Sequence, residues 1–253
     1  MRATIVFVMF MLVCAAGCGR SPGGAPKRQL VIFCGSSMIE PMNEISRTFA
    51  EERRVNVTTD TGGSETLLPR VLAGAAADVF VCHDPFEQKV REAGRWAGSA
   101  TVATMRPVIL VKPGNPHNIT KVEDLAREGL KIGIGNPEYS TAGRMFVEML
   151  QRRGLYEQVM KQVVLQARTH QEIANGLIVG PLDVAVVWNF ISVLYKDKVQ
   201  VVHTDDRYDD VRVTVVGLTN SPNPQMRDLF LEECRTQRVR DVFARHGYSP
   251  VSP

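Results

Sequence analysis

Residues 29–37 read Gln29-Leu-Val-Ile-Phe-Cys-Gly-Ser-Ser37, an apolar run that ends in a glycine and two serines. An uninterrupted apolar run of this length is typical of a strand that is buried on both faces of a parallel sheet. Apolar residues then recur at helical spacing from Ile39 to Phe49, and Val55-Asn-Val-Thr-Thr59 returns to the alternation of a strand. Strand, helix and strand form a βαβ unit, which predicts an α/β fold.

Strand and helix patterns continue to alternate along the chain. We predict further helices at 65–73, 85–94, 122–128 and 142–153, and further strands at 77–81, 108–111, 131–134 and 184–187. Such alternation predicts mostly parallel sheets that are flanked by helices. Ligands bind these sheets at the carboxyl ends of the strands, so the residues that follow each strand are candidates for a binding site.

The composition is that of a globular protein without a nucleic-acid partner. The 253 residues are 44% hydrophobic, and 30 lysines and arginines stand against 27 aspartates and glutamates. This length suffices for one large domain or two small lobes. Phosphate neutralisation needs a basic stripe, and the sequence has none, so we expect no binding of nucleic acid.

The first 27 residues predict a secretory leader with a lipidation signal. One positive charge precedes a short apolar run, and small residues lead directly into Cys18. The apolar run is well short of the roughly 20 residues that span a bilayer. We predict a signal peptide at 1–17 and a flexible, lipid-anchored tether at 18–27, so the protein would be extracytoplasmic, in the periplasm or at the cell surface. The alternative is an ordinary signal peptide that is cleaved near Gly17.

Catalytic and metal-binding signatures are absent from the sequence. The five cysteines show no C-x-x-C spacing, and no G-x-S-x-G elbow, H-E-x-x-H motif, Walker A sequence or Rossmann fingerprint occurs. We therefore predict that the protein is not an enzyme and has no cofactor and no free metal cation. Cys34 and Cys82 each end a predicted strand, and we expect buried free thiols rather than a disulfide. We expect surface or loop positions for the histidines, which are His83, His117, His170, His203 and His246.

Three segments combine the end of a strand, small or hydroxyl residues and the start of a helix. They are Gly35-Ser-Ser37, Gly62-Gly-Ser64 and Asn136-Pro-Glu-Tyr-Ser-Thr-Ala-Gly143. The first N–H groups of a helix have no internal partner and carry partial positive charge, so they bind anions without a lysine or arginine. Each segment alone is more simply explained as an ordinary helix N-cap, but three of them predict convergence on one anion.

Four segments resemble the periplasmic molybdate-binding protein family. They are Val31-Ile-Phe-Cys-Gly-Ser-Ser-Met-Ile-Glu-Pro-Met-Asn-Glu-Ile45, Gly63-Ser-Glu-Thr-Leu67 with the later Ala77-Asp-Val-Phe80, Gly135-Asn-Pro-Glu-Tyr-Ser-Thr-Ala-Gly143 and Val242-Phe-Ala-Arg-His-Gly-Tyr-Ser249. They follow one another in the family's order over about residues 28–250. The resemblance implies that Ser37 and Ser64 are the two binding serines and that the backbone N–H of Ala142 binds the anion.

Three positions depart from the family pattern. Trp188 falls where the family has a tyrosine donor, and its indole N–H donates but cannot accept. A further backbone donor falls at His170 or Gln171. Glu65 replaces a serine beside Ser64, and its carboxylate either points away from the ligand or approaches it. These departures bear on the choice of oxyanion more than on the fold.

The resemblance also implies the architecture. We expect the two-lobe periplasmic-binding-protein fold of type II, with lobe I at 28–104 plus 203–253 and lobe II at 105–202. Two crossing strands would join the lobes, and the ligand cleft would lie between them. Ligand binding would then close the lobes by a hinge movement.

The implied function is that of the solute-binding lipoprotein of an ABC importer. It would be a monomer that binds molybdate or tungstate through neutral donors, is held at a membrane by its lipid, and delivers the anion to ABC permease subunits. Other oxyanions, phosphate or sulfate, are the nearest alternative. A two-lobe sensor and an enzyme on the same fold are the remaining ones.

Overall fold

The structure is a computed structural model, and it describes residues 28–203 and 210–251. The predicted signal peptide at 1–17, the lipidation site Cys18 and the tether at 18–27 lie outside the described residues. Within the part of the chain that the structure describes, no helix is both long and apolar enough to cross a membrane.

The described residues alternate between strands and helices, as the sequence pattern predicted. The strands are β1 (Gln29–Gly35), β2 (Asn56–Gly62), β3 (Val79–His83), β4 (Trp96–Met105), β5 (Pro107–Val111), β6 (Ile132–Gly135), β7 (Val163–Ala167), β8 (Val184–Trp188), β9 (Gln200–Val202) and β10 (Val211–Leu218). The α-helices are α1 (Ile39–Arg53), α2 (Ser64–Leu72), α3 (Phe86–Glu92), α4 (Thr141–Arg152), α5 (Tyr156–Met160), α6 (His170–Ile178), α7 (Phe190–Leu194), α8 (Pro224–Cys234) and α9 (Gln237–Arg245). Short 3-10 helices cover Ser36–Met38 and Val122–Ala126. The second of them is the short helix that the sequence predicted at 122–128.

The strands form two five-stranded sheets, and each sheet with its helices makes one lobe. The orders are β2-β1-β3-β10-β4 in lobe I and β7-β6-β8-β5-β9 in lobe II. This arrangement confirms the predicted two-lobe α/β fold with helices on the sheets.

The sheets are mixed, whereas the helix–strand alternation indicated mostly parallel pairing. β1 pairs in parallel with β2 and β3, and β6 does so with β7 and β8. β10 lies antiparallel between β3 and β4, and β5 lies antiparallel between β8 and β9. The alternation reports only on consecutive strands, so it could not show a strand that is inserted from a distant part of the chain.

The chain passes between the lobes twice. It leaves lobe I at Arg106, between β4 and β5, and returns between β9 and β10. We propose that lobe I comprises 28–104 plus 203–253 and lobe II comprises 105–202, because these limits fall where the chain crosses from one sheet to the other.

The cysteines in the described residues are buried in the hydrophobic core. Cys34, Cys82 and Cys234 are all free thiols, as expected for Cys34 and Cys82. Burial raises the pKa of each thiol above its ordinary value. These thiols therefore stay protonated and act as small apolar side chains.

Candidate functional site

A cavity of about 90 Å³ lies between the lobes, where strands of both sheets end. A site needs only about 10–15 Å³ of such space to hold one water molecule, so this cavity accommodates an ion of several atoms. Lobe I contributes Ser36, Ser37, Gly63, Ser64, Glu65 and His83, and lobe II contributes Tyr139, Ser140, Thr141, Arg168, Thr169, His170, Gln171, Trp188 and Phe190.

Three α-helices begin at this cavity. α2 begins at Ser64, α4 at Thr141 and α6 at His170, and the 3-10 helix Ser36–Met38 begins there as well. The first N–H groups of each helix lack partners within that helix, and the helix dipoles place partial positive charge at the same end. The cavity is therefore surrounded by backbone donors that suit an anion.

Two of the three helices have hydroxyl caps, and the third does not. Ser140 Oγ accepts from the N–H of Gly143 at 3.3 Å, and Thr169 Oγ1 accepts from the N–H of Glu172 at 3.3 Å. α2 has Gly63 at its N-cap and no side-chain cap bond. Ser64 is thus not used as a cap, which removes the ordinary explanation for its hydroxyl.

Two polar atoms beside the cavity are buried without a hydrogen-bond partner in the described residues. They are Ser64 Oγ and His170 Nδ1, and these residues are only 3% and 8% exposed. A buried polar group without a partner costs about 1–3 kcal/mol. The loss is recovered when a ligand oxygen bonds to the group, so both atoms mark a place for a polar ligand.

Gly35 allows the Ser64 hydroxyl to lie where it does. A Cβ atom at residue 35 would be 2.7 Å from Ser64 Oγ, well inside contact distance. The glycine that ends β1 therefore brings the Ser36–Ser37 turn and Ser64 together in one site.

The structure brings together most of the residues that the sequence proposed. Ser37 and Ser64 line the cavity from lobe I, and Trp188, His170 and Gln171 line it from lobe II. Ala142 does not line it with its side chain. It is the second residue of α4 and completely buried, so only its backbone N–H, at the start of the helix, is suited to the predicted role.

Trp188 lies between two buried histidines. Its ring centroid is 6.0 Å from that of His83 and 5.9 Å from that of His170. The surface or loop position expected for these histidines is wrong for both, because His83 is 5% and His170 8% exposed. His83 ends β3 at the carboxyl edge of the sheet. It is buried because other parts of the fold cover this edge, and the local sequence contains no signal for that.

Both histidines are neutral at physiological pH. Burial lowers the pKa of His170 to about 3, and His83 adds a smaller effect in the same direction. Burial also lowers the pKa of His83, although its hydrogen bond to Asp84 and the charges of Glu65 and Asp84 act against this change. Loss of the charged form is the expected result when an imidazole is removed from water.

The carboxylate of Glu65 is turned towards lobe II. Thr141 Oγ1 lies 3.3 Å from Glu65 Oε1 and donates to it. Arg144 donates in turn to Thr141 Oγ1 at 3.3 Å. Of the two orientations considered for Glu65, the structure therefore shows the one in which the carboxylate lies at the cavity.

Sequence reasoning missed several lining residues. Thr141 and Tyr139 lie in the loop that was singled out for Ala142, and Arg168, which stacks over the Tyr139 ring at 4.4 Å, follows β7. His83 and Arg168 both come at or directly after the end of a strand. A polar residue at the carboxyl end of a strand is a candidate for ligand binding, and this rule could have identified both residues from the sequence.

The carboxyl-terminal segment ties the binding turn of lobe I to lobe II. The Tyr248 hydroxyl donates to the carbonyl oxygen of Ser37, and its ring stacks on Phe190 with centroids 4.8 Å apart. Asn189 Nδ2 donates to the carbonyl oxygen of Gly247 at 2.9 Å. The position of Ser37 therefore depends on contacts that include both lobes.

Within residues 28–203 and 210–251, no group of three His, Cys, Asp or Glu side chains is arranged to hold a metal ion. The cavity is lined by hydroxyl, imidazole, indole, amide and backbone groups, together with the Glu65 carboxylate and the Arg168 guanidinium.

Comparison with known proteins gives a consistent family assignment. The family described as "Bacterial extracellular solute-binding protein" matches residues 30–249. The molybdate-binding protein ModA of Mycobacterium tuberculosis is 26% identical over 254 residues, which cover 96% of this chain and 95% of that protein.

Solved structures show the same fold. The periplasmic molybdate-binding protein of Azotobacter vinelandii superposes with a TM-score of 0.73 at 17% identity, covering 88% of this chain and 99% of that one. The sulfate-binding protein SubI of Mycobacterium tuberculosis gives a TM-score of 0.74 at 17% identity, covering 89% and 88%. At such low sequence identities the similarity shows the fold alone. The two similar structures are named for different anions, molybdate and sulfate.

Proposed function

The chain belongs to the bacterial extracellular solute-binding proteins, and we propose that it binds a tetrahedral oxyanion for uptake by an ABC transporter. The observation that carries the proposal is the pair of buried atoms without partners among the described residues, Ser64 Oγ and His170 Nδ1, whose residues line one cavity from different lobes. A ligand that bonds to both would join the lobes. Closure of the lobes on the ligand is then the signal for the transporter.

The donor set suits an anion of fixed charge. A fully ionised oxyanion has acceptors only, and the helix starts at Ser64, Thr141 and His170 offer donors only. The predicted donors Ser37, Ala142, Gln171 and Trp188 would complete the shell. We therefore assign them to binding and assign no catalytic residue.

Molybdate or tungstate is the oxyanion we propose first. The ModA relatives are named for molybdate, and the four sequence segments that resemble the molybdate-binding family include the Ser37 and Ser64 turns. Phosphate and sulfate are the alternatives, and one observation favours phosphate. The carboxylate of Glu65 repels any dianion, but it also shows that the cavity contains an acceptor as well as donors, and hydrogen phosphate, unlike molybdate, has a hydrogen to donate to an acceptor.

The cellular setting belongs to the same proposal. We propose that residues 1–17 are a signal peptide and that Cys18 carries the lipid that holds the protein outside the cytoplasm. The protein would act as a monomer and meet its permease in the closed form. Mass spectrometry of the membrane-extracted protein tests this part, since a lipidated Cys18 should be the first residue.

A thermal unfolding screen tests the choice of ligand. An anion that binds only the folded protein stabilises it by about 2.7 kcal/mol at one hundred times its dissociation constant. We expect molybdate and tungstate to raise the unfolding temperature at concentrations at which sulfate and chloride do not. A response to phosphate alone would select the alternative, and no response to any oxyanion would contradict the proposed function.

A further inference from the structure

His83 places a neutral ring nitrogen, beside the Glu65 carboxylate, in a site that is otherwise built mainly from donors. It ends β3, it is 5% exposed, and it lines the cavity with its ring packed against Phe86 and Trp188 at centroid distances of 5.2 Å and 6.0 Å. Its orientation is fixed from both lobes, because Phe86 lies in lobe I and Trp188 in lobe II.

One hydrogen bond determines which nitrogen of His83 carries the hydrogen. Nδ1 lies 2.8 Å from the carbonyl oxygen of Asp84. A carbonyl oxygen only accepts, so Nδ1 must donate, and in the neutral ring Nε2 is left with its lone pair. Nε2 has no hydrogen-bond partner among the described residues, and it is the ring nitrogen that remains for the cavity. The site therefore contains a second acceptor besides the Glu65 carboxylate, and this one is uncharged.

The charges around His83 determine how readily Nε2 takes a proton. Glu65 on α2 and Asp84 raise the pKa of His83, Arg144 on α4 lowers it, and burial lowers it most. Arg212 on β10 bonds to both carboxylate oxygens of Asp84 and so weakens its effect. The other titratable or charged groups that line the cavity are His170 on α6, Arg168 and Tyr139. A dianion in the cavity would add negative charge directly beside the ring and raise the pKa of His83.

His170 is the less suitable proton acceptor of the two. It is the first residue of α6, where the helix dipole disfavours a cation. Its Nδ1 is buried without a partner, so as a neutral donor it can bond directly to an oxyanion oxygen. The two histidines thus have different roles, with His170 as a neutral donor and His83 as the site for a proton.

We propose that the pocket binds its oxyanion together with one proton, which is shared with His83 Nε2. The inference rests on the proposed function. A fully ionised oxyanion such as molybdate binds while Nε2 takes a proton from solvent, which gives an imidazolium next to the dianion. Hydrogen phosphate brings its own hydrogen and donates it to neutral Nε2. His83 is therefore the residue that determines which protonation state of an oxyanion the pocket accepts.

The experiment is a calorimetric titration of the mature protein with molybdate in buffers of different ionisation enthalpy, at several pH values from about 6.5 to about 8.5. We expect uptake of about one proton per anion and an affinity that falls roughly tenfold for each pH unit above neutrality. In His83→Gln, which keeps a polar side chain but cannot titrate, uptake should vanish and affinity should become independent of pH. His117→Gln is the matched control, because His117 pairs with Asp183 and its side chain is 42% exposed.

A measurement on the unaltered protein makes the test independent of how well His83→Gln folds. Nitrogen NMR of labelled histidine should show one neutral ring become an imidazolium when molybdate binds. Molybdate binding without proton uptake and without a new imidazolium would overturn the inference and leave the proposed function intact. Absence of binding to every oxyanion would overturn the proposed function itself.

Phosphate gives a separate outcome. If it is the anion that binds, we expect little proton uptake near pH 8.5, because the ligand supplies the hydrogen, and a more than tenfold loss of affinity in His83→Phe, which has no acceptor. Unchanged phosphate affinity in His83→Phe would contradict the proposed role of Nε2.

Discussion

Thr141 Oγ1 and Glu65 Oε1 are 3.3 Å apart and form a hydrogen bond that crosses the cleft from lobe II to lobe I. The two residues lie at the starts of α4 and α2, the same helix ends whose N–H groups face the cavity. The contact joins the lobes, but it also places a carboxylate where a dianion would bind. Glu65 therefore helps to hold the cleft closed and at the same time repels a dianionic ligand.

Removal of the Glu65 charge should strengthen dianion binding. Glu65→Gln keeps an oxygen that can accept from Thr141 and removes the negative charge, so we expect molybdate affinity to rise roughly tenfold, with a smaller effect at high salt. Calorimetry at two salt concentrations measures this. Weaker molybdate binding in Glu65→Gln would mean that the carboxylate assists the ligand instead of repelling it.

The Trp188 indole should act as a donor. Trp188→Phe keeps an aromatic ring between the two histidines but removes the N–H, so oxyanion affinity should fall roughly tenfold. Trp96→Phe is the matched control, because it removes the same N–H from a tryptophan that does not line the cavity and whose Nε1 is buried without a partner among the described residues. Equal effects of the two substitutions on affinity would remove Trp188 from the binding shell.

Gly35 should be required for the shape of the site. Gly35→Ala would place a Cβ 2.7 Å from Ser64 Oγ, so we expect loss of both stability and affinity. Gly62→Ala places its Cβ no nearer than 3.4 Å to any neighbour, and those neighbours are atoms of the flexible Leu67 side chain. Urea unfolding and oxyanion titration should therefore separate the two variants, and a well-folded Gly35→Ala protein with full affinity would contradict the close approach.

Acid should destabilise the protein through His170. Its pKa is about 3 in the folded protein, against an ordinary value of 6.5, so only the unfolded chain binds a proton at intermediate pH. Above pH 6.5 His170 therefore does not lower the free energy of unfolding. As the pH falls from 6.5 towards the folded pKa, the free energy of unfolding decreases, by about 2 kcal/mol at about pH 5. Urea unfolding at pH 7 and pH 5 should show a smaller difference for His170→Gln than for the unaltered protein. An equal difference would contradict the buried neutral state.

The sequence predicted the elements around the binding turns well. The run from Gln29 to Cys34 is β1, and the serines after it lie at the cavity, because local apolar periodicity and strand-end position determine both features. It did not predict β4, whose sequence from Trp96 to Met105 consists mostly of alanine, serine, threonine and glycine and lacks a run of large apolar residues. It also did not predict the insertion of β5 and β10, since pairing with a distant strand has no local signature.

The same limit applies to the site. A histidine at the end of β3 has the same sequence signal whether it is exposed or buried, and the burial of His83 depends on Phe86 and Trp188, which come from different lobes. The orientation of Glu65 likewise depends on Thr141, which is distant in sequence. Contacts across the cleft therefore had to come from the structure.

Ser64 tests the central claim, that the cavity is a binding site built from buried donors. Ser46 and Ser64 both have a buried hydroxyl without a partner in the described residues, and only Ser64 lines the cavity. In the absence of ligand, alanine at either position should leave stability unchanged or slightly raised, because an unpaired hydroxyl is removed from the interior.

The most direct measurement is calorimetric titration of Ser64→Ala, Ser46→Ala and the unaltered protein with molybdate, tungstate, sulfate and phosphate. We predict one-to-one binding of molybdate and tungstate to the unaltered protein and to Ser46→Ala, with affinity at least tenfold lower in Ser64→Ala. Equal affinity in all three proteins, or no binding of any oxyanion to the unaltered one, would contradict the account.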